Sequence, residues 1–211
     1  MSISVIYIII VLVVILFSMT LHEAMHAFVS DWLGDNTARS QGRLTLNPVK
    51  HIDLFLTILL PLTLALVGAP IFGGARPVPF NPDNVRFSEW GVALVALAGP
   101  LTNLLIAFVA FGLWTMFGLS GQKLFGQIMP IIVSVNLGFF IFNMIPIPPL
   151  DGSRVLYALA PEFVRRGMEL IEQFGIIVIF LIVIFAGPFI GSFIVTMDSF
   201  FLNLFGYIFG L

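Results

Sequence analysis

The uncharged run from Ile3 to Leu21 leads directly into His22-Glu23-Ala24-Met25-His26, and this junction constrains the chain more than any other feature. An apolar stretch of this length is what a membrane-spanning helix needs. Histidines four positions apart lie on one face of a helix, one turn above the other. Two imidazoles so placed can take two corners of a tetrahedral zinc site. Glu23, beside the first of them, can then act as general base on a metal-activated water. The alternative is a polar helix end that faces the headgroups. Two His and a Glu are costly to keep at the end of a membrane helix, which favours a functional role.

Composition supports the membrane. The chain is 59% hydrophobic and 9% charged, with mean hydropathy +1.10, where a soluble domain carries about 25% charged residues. An all-α polytopic membrane protein is expected, with about five transmembrane helices. The net charge of −2 says nothing about nucleic acid, but no basic patch exists, and no nucleic-acid partner is expected. There is no Cys, so any metal must be held by His and carboxylate. The first 21 residues lack a positive n-region and a small-residue cleavage site. They read as a retained transmembrane helix rather than a signal peptide.

Taken in order, a long helix runs from Ile3 to Trp32 and stops at Gly34-Asp35-Asn36. Thr37 to Asp53 is polar and partly alternating. It reads either as a short strand or β-hairpin beside the His-Glu motif or as a plain surface loop. If it is extended, Leu44 and Leu46 point one way and Arg43 and Thr45 the other. A strand there could pair with an extended peptide. Ile52 to Val67 is apolar but short, with Pro61 inside. Gly68 to Asn84 holds Gly73-Gly74, Arg76-Pro77 and Pro79, an irregular backbone that membrane depth tolerates only when it is buried or lines a wet cavity. Trp90 to Phe117 is a long apolar helix, with Pro100 expected to kink it. Asn103 within it is a buried amide suited to helix–helix hydrogen bonding. A loop from Gly118 to Gln127 carries Lys123. Ile128 to Ile145 is the next span. It breaks at Pro146-Ile147-Pro148-Pro149 and leads to Leu150-Asp151-Gly152. Asp-Gly alone is a turn signal, but here Asp151 is a candidate third metal ligand. Ser153 to Gln173 reads as an amphipathic surface pair of helices at the interface. A hydrophobic hairpin, about residues 174–208, follows around Ala186-Gly187. No repeat or linker divides the chain, so residues 1–211 read as a single membrane-embedded domain with a catalytic core of about residues 3–160.

Sidedness gives an independent check. His22, His26 and Asp151 can meet only if an even number of complete crossings separates them. Trp90–Phe117 and Ile128–Ile145 supply two, so Ile52–Val67 should be a re-entrant segment that dips in and returns. Arg39, Arg43, Lys50, Arg76, Arg86, Arg154, Arg165 and Arg166 then share the face of the metal site, with Lys123 opposite. By the positive-inside rule that face is cytoplasmic and the N-terminus is outside. The expected location is therefore the cell (plasma or inner) membrane, as a multi-pass protein.

His22-Glu23-Ala24-Met25-His26, with Asn143-Met144-Ile145-Pro146 leading to Leu150-Asp151-Gly152, resembles the site-2 protease family of intramembrane zinc metalloproteases. Gly42-Arg43-Leu44-Thr45-Leu46-Asn47-Pro48, Arg76-Pro77-Val78-Pro79 and Ala98-Gly99-Pro100-Leu101-Thr102-Asn103 are similar to its small prokaryotic branch without PDZ or CBS domains. The resemblance covers about residues 5 to 160. It implies that His22, His26 and Asp151 bind zinc (Zn2+), that Glu23 activates water, and that Asn143 helps to hold substrate or the developing oxyanion. It further implies membrane-spanning protein or peptide substrates within the lipid bilayer. Two alternatives stand beside it. One is a metal or proton transporter, against which no inverted repeat is visible. The other is an inactive substrate-binding homologue, against which His22, Glu23, His26 and Asp151 are all present.

Overall fold

The computed structural model describes residues 5–66, 74–118 and 125–211. The helices are α1 (Val5–Trp32), α2 (Thr37–Ser40), α3 (Leu60–Leu66), α4 (Ser88–Met116), α5 (Phe125–Asn143), α6 (Asp151–Leu159), α7 (Glu162–Glu172) and α8 (Gly175–Phe209). A π-helical stretch, Leu54–Leu59, feeds directly into α3. Four helices are long and apolar enough to cross a membrane: α1, α4, α5 and the Phe185–Phe209 part of α8. Their outer faces expose Ile6, Val13, Phe17, Leu105, Val109 and Val195, as lipid-facing surfaces do.

Small residues bring the helices together. Ala24 and Ala27 of α1 and Ala93 and Ala96 of α4 are almost fully buried, and short side chains let helix backbones approach closely without a gap. The largest core lies where α4, α5 and α8 meet, around Ala107, Phe111, Val133, Leu137, Ile141 and Phe205. Val11, Ile15 and Met19 of α1 pack on Phe139 of α5. Helix α4 thus touches every other long helix and is the spine of the bundle. It runs unbroken through Pro100.

Three expectations are corrected. No described residue is in a β-strand, so the hairpin reading of Thr37–Asp53 gives way to turns. The reason is local hydrogen bonding. Asp35 takes the Thr37 amide and hydroxyl, which starts α2, and the Asn47 side chain accepts from the Val49 amide, which starts a 3-10 turn at Pro48. These side chains offer the backbone an alternative to a strand ladder. Arg43 is buried, Leu44 packs against Val78 and Leu46 is 57% exposed, so Leu44 and Leu46 do not share one environment. The second correction is α8, a single helix across Ala186-Gly187-Pro188 rather than a hairpin. The third is the count of membrane-length helices among the described residues, four rather than five.

Asp53 accepts from the Phe55 and Leu56 amides and so caps the Leu54–Leu66 helical stretch. The chain is back beside the start of that stretch at Gly74, whose amide donates to the Leu56 carbonyl and whose carbonyl accepts from the Thr57 hydroxyl. From there residues 74–81 run without regular structure past α1. Residues 67–73, including Gly73, and Lys123 lie outside the described residues.

Candidate metal centre

Ser18, His22 and His26 are spaced by four on α1, so their side chains share a face. All three are buried. The His22 and His26 Nε2 atoms are 3.0 Å apart. Asp151 Oδ2 lies 3.2 Å from His22 Nε2, and Oδ1 lies 3.5 Å from His26 Nε2. Two imidazole nitrogens and a carboxylate converging so closely are suited to share one cation. Ligand atoms at about 2.0–2.1 Å from a tetrahedral zinc stand about 3.3 Å from one another. The observed triangle has that size.

The proton positions on both imidazoles follow from their other nitrogens. His26 Nδ1 is 2.7 Å from the Val95 carbonyl, which can only accept, so Nδ1 donates and the neutral ring keeps its lone pair on Nε2. His22 reaches the same state through a longer chain. The Asn136 amide nitrogen donates to the Ile132 carbonyl at 2.8 Å and to the Ser18 hydroxyl at 2.9 Å, which fixes the way Asn136 faces. Its oxygen accepts from Asn103 Nδ2 at 2.8 Å. The Asn103 oxygen must then accept from His22 Nδ1, at 2.6 Å. Both Nε2 lone pairs therefore face the Asp151 carboxylate, as metal ligation requires.

Room for an ion is provided by Gly99. A Cβ there would stand 2.5 Å from His26 Nε2 and 2.6 Å from His22 Nε2. A side chain at position 99 would fill the space between the donors. Asp151 is the first residue of α6, and the preceding connection is tight. A Cβ at Gly152 would lie 2.3 Å from the Met144 carbonyl oxygen, so only glycine lets this helix start so near the end of α5. At the far end of α6, Arg165 donates to the carbonyls of Tyr157, Ala158 and Ala160 and reaches Glu89 of α4 at 3.4 Å. The Arg154–Glu172 pair and the Tyr157–Glu169 hydrogen bond tie α6 to α7.

The structure thus brings His22, His26 and Asp151 together. Glu23, the next residue on α1, is 8% exposed and accepts from the Val78 amide at 2.8 Å. Asn143 is not among the contacts of this cluster. Its amide donates to the Phe139 carbonyl of its own helix at 3.0 Å. Asn103 makes the helix–helix bond read from the sequence, and it also orients His22. Asn136 and Ser18 were missed. Their signal was a polar residue inside each of two apolar runs, with Ser18 one turn before His22.

A candidate two-His, one-carboxylate donor set, with both His on a membrane-length apolar helix, fits a membrane metalloprotease. Similarity to known proteins agrees. The chain is 40% identical over 195 residues to the protein named "Putative zinc metalloprotease YwhC" of Bacillus subtilis, across 89% of this chain and 83% of that one. It is 32% identical over 171 residues to the Rip2 protein of Mycolicibacterium smegmatis, which carries the same zinc metalloprotease designation, and covers 64% of its length. It is 39% identical over 99 residues to the similarly named MJ0611 of Methanocaldococcus jannaschii, which is half of that protein. The chain belongs to the site-2 protease family of zinc metalloproteases. No family model and no solved structure matches it.

Proposed function

We propose that this protein is an intramembrane zinc endopeptidase that cuts membrane-spanning helices, the reaction of regulated intramembrane proteolysis. The observation that carries this is the convergence of two oriented Nε2 lone pairs and a carboxylate, with a second carboxylate, Glu23, on the next residue of the same helix. His22, His26 and Asp151 would hold the metal and leave one position open. Zinc there would supply Lewis acidity to the scissile carbonyl and lower the pKa of water to about 7. Glu23 would accept the proton of the attacking water and hand it to the leaving amine. Asn143 has a second N–H and a carbonyl oxygen to offer a substrate backbone. A helical substrate hides its carbonyls in its own hydrogen bonds, so it must unwind before attack, and helix-breaking residues near the cut should help.

The proposed topology follows the same chemistry. α1, α4, α5 and α8 would span the bilayer. The Leu54–Leu66 stretch has six residues in its first part and seven in α3, no more than about 20 Å at 1.5 Å per residue, against a hydrocarbon thickness of about 30 Å. Its length, and the return of the chain at Gly74, support a re-entrant segment. The metal face would be cytoplasmic in the plasma membrane, with the amphipathic α6–α7 pair at that interface. The test is cleavage of a helical test peptide in liposomes, with zinc content measured alongside. Wild type should cut, whereas Glu23→Gln should keep zinc and lose about 100-fold or more in rate. A Glu23→Gln protein that cuts at the wild-type rate, or a protein that moves zinc across the bilayer without cutting, overturns the reading.

A further inference from the structure

Arg43 is 7% exposed, and among the described residues no carboxylate lies within ion-pair distance of it. A buried guanidinium without an anion is costly unless its charge meets other partners. Its Nη2 donates instead to two backbone carbonyls, Arg76 at 2.6 Å and Pro77 at 3.3 Å. The Pro77 carbonyl and the Val78 N–H belong to one peptide unit. That unit is trans, so its oxygen and its hydrogen point in opposite directions. On the hydrogen side, Val78 N–H donates to Glu23 Oε2 at 2.8 Å. A buried cation and a buried carboxylate are therefore joined across a single peptide plane, with the peptide dipole aligned between them.

The neighbouring residues make this plane a fixed one. Pro77 and Pro79 have no N–H, so Val78 is the one amide donor of the three. The Arg76 amide donates to the His51 carbonyl at 2.9 Å and the Asn81 amide to Asp35 at 2.9 Å, which pins the segment at both ends. The Val78 side chain packs with Ala27 of α1, Ala38 and Leu44, next door to Arg43. Arg43 is itself anchored, its amide donating to the Ala38 carbonyl at 2.8 Å.

We propose that Arg43 is the positioning residue for Glu23, holding the Pro77–Val78 peptide so that the Val78 N–H fixes the carboxylate beside the metal site. This rests on the reading of Glu23 as the base. The Arg43 side chain bonds to backbone carbonyls and to none of His22, His26 and Asp151. It strengthens the Val78 donor by polarising the carbonyl of the same peptide and stops the carboxylate from swinging away.

Two measurements test it in the zinc-loaded, reconstituted protein. One is the split between kcat and KM. Arg43→Met should lower kcat roughly 10- to 100-fold through misplacement of the base, with KM and zinc content unchanged, and Arg43→Lys should recover most of the loss because an ammonium can serve both carbonyls. The other is hydrogen exchange at Val78, the single exchangeable backbone amide of Pro77–Pro79. Its exchange should quicken by about tenfold or more in Arg43→Met and stay slow in Arg43→Lys. The proposal is overturned if Arg43→Met keeps its kcat, if it loses zinc or shows its effect in KM, or if Val78 exchange does not change. If the wild-type protein cuts nothing, the protease reading falls, while Val78 exchange still reports whether Arg43 holds the peptide.

Discussion

At His22 the Nδ1 proton is held by the Asn103 oxygen, and that oxygen is turned toward His22 by Asn136, which is turned in its own right by the Ile132 carbonyl. The orientation of His22 on α1 is thus decided by a main-chain oxygen of α5. Asn103→Ala should leave the His22 ring free to turn and lower zinc affinity about 10- to 100-fold, as loss of an outer-sphere partner typically does. Competition with a chelator checks this, and unchanged affinity would mean that Asn103 only packs. Asp35 is a second buried polar residue with four donors, from Thr37, Asn81 and Asn84. Burial alone would push its carboxyl up, but these hydrogen bonds outweigh it and hold it below the usual range. A depressed folded-state value contributes stability above the unfolded value of about 3.9, and that stability is lost as pH falls through the folded value. Asp35→Asn should therefore cost about 1–3 kcal/mol near neutrality. The gap to wild type should close on acidification, as read by unfolding in detergent across pH.

Among the elements, α6 carries Asp151 at one end and is fastened at the other by Arg165. Lys, Arg and His near a helix C-terminus satisfy its last carbonyls and oppose its dipole. Arg165→Ala should cost about 1–3 kcal/mol and raise hydrogen exchange across Asp151–Leu159, while a variant at exposed Arg166 should do neither. The long apolar helices and the grouping of His22 and His26 on one helix face were legible in the sequence because hydropathy and the four-residue spacing are local signals. What was not legible depends on competition between local and distant partners. Thr37–Asp53 alternates like a strand, but Asp35 and Asn47 capture its amides first, and among the described residues there is no neighbouring strand to compete. Ala186-Gly187-Pro188 reads as a break, yet α8 continues through it; if α8 lies in lipid, no water is at hand to satisfy opened backbone groups. The link from Arg43 to Glu23 joins residues far apart in sequence through backbone atoms, which leave no mark in a residue pattern.

For the whole molecule, His22 and His26 of α1 and Asp151 of α6 meet because α4 and α5 lie between them in the chain and return it to the same end. If both span and the Leu54–Leu66 stretch does not, single cysteines at Asn47, Asn84 and Glu162 should react with an impermeant reagent from one side and a cysteine at Gly118 from the other. The chain has no native Cys to confuse the result. Asn84 reacting from the side opposite Asn47 would make that stretch a full crossing and break the topology. The central claim is the metal centre itself, and X-ray absorption at the zinc edge on the purified protein reads it directly. The account predicts one tightly bound zinc with two imidazole nitrogens at about 2.0–2.1 Å and carboxylate oxygen at about 2.0–2.2 Å. The oxygen contribution should fall in Asp151→Ala, and a nitrogen should be lost in His22→Ala or His26→Ala. A protein that binds no zinc, or a zinc spectrum that none of these three substitutions alters, would contradict it.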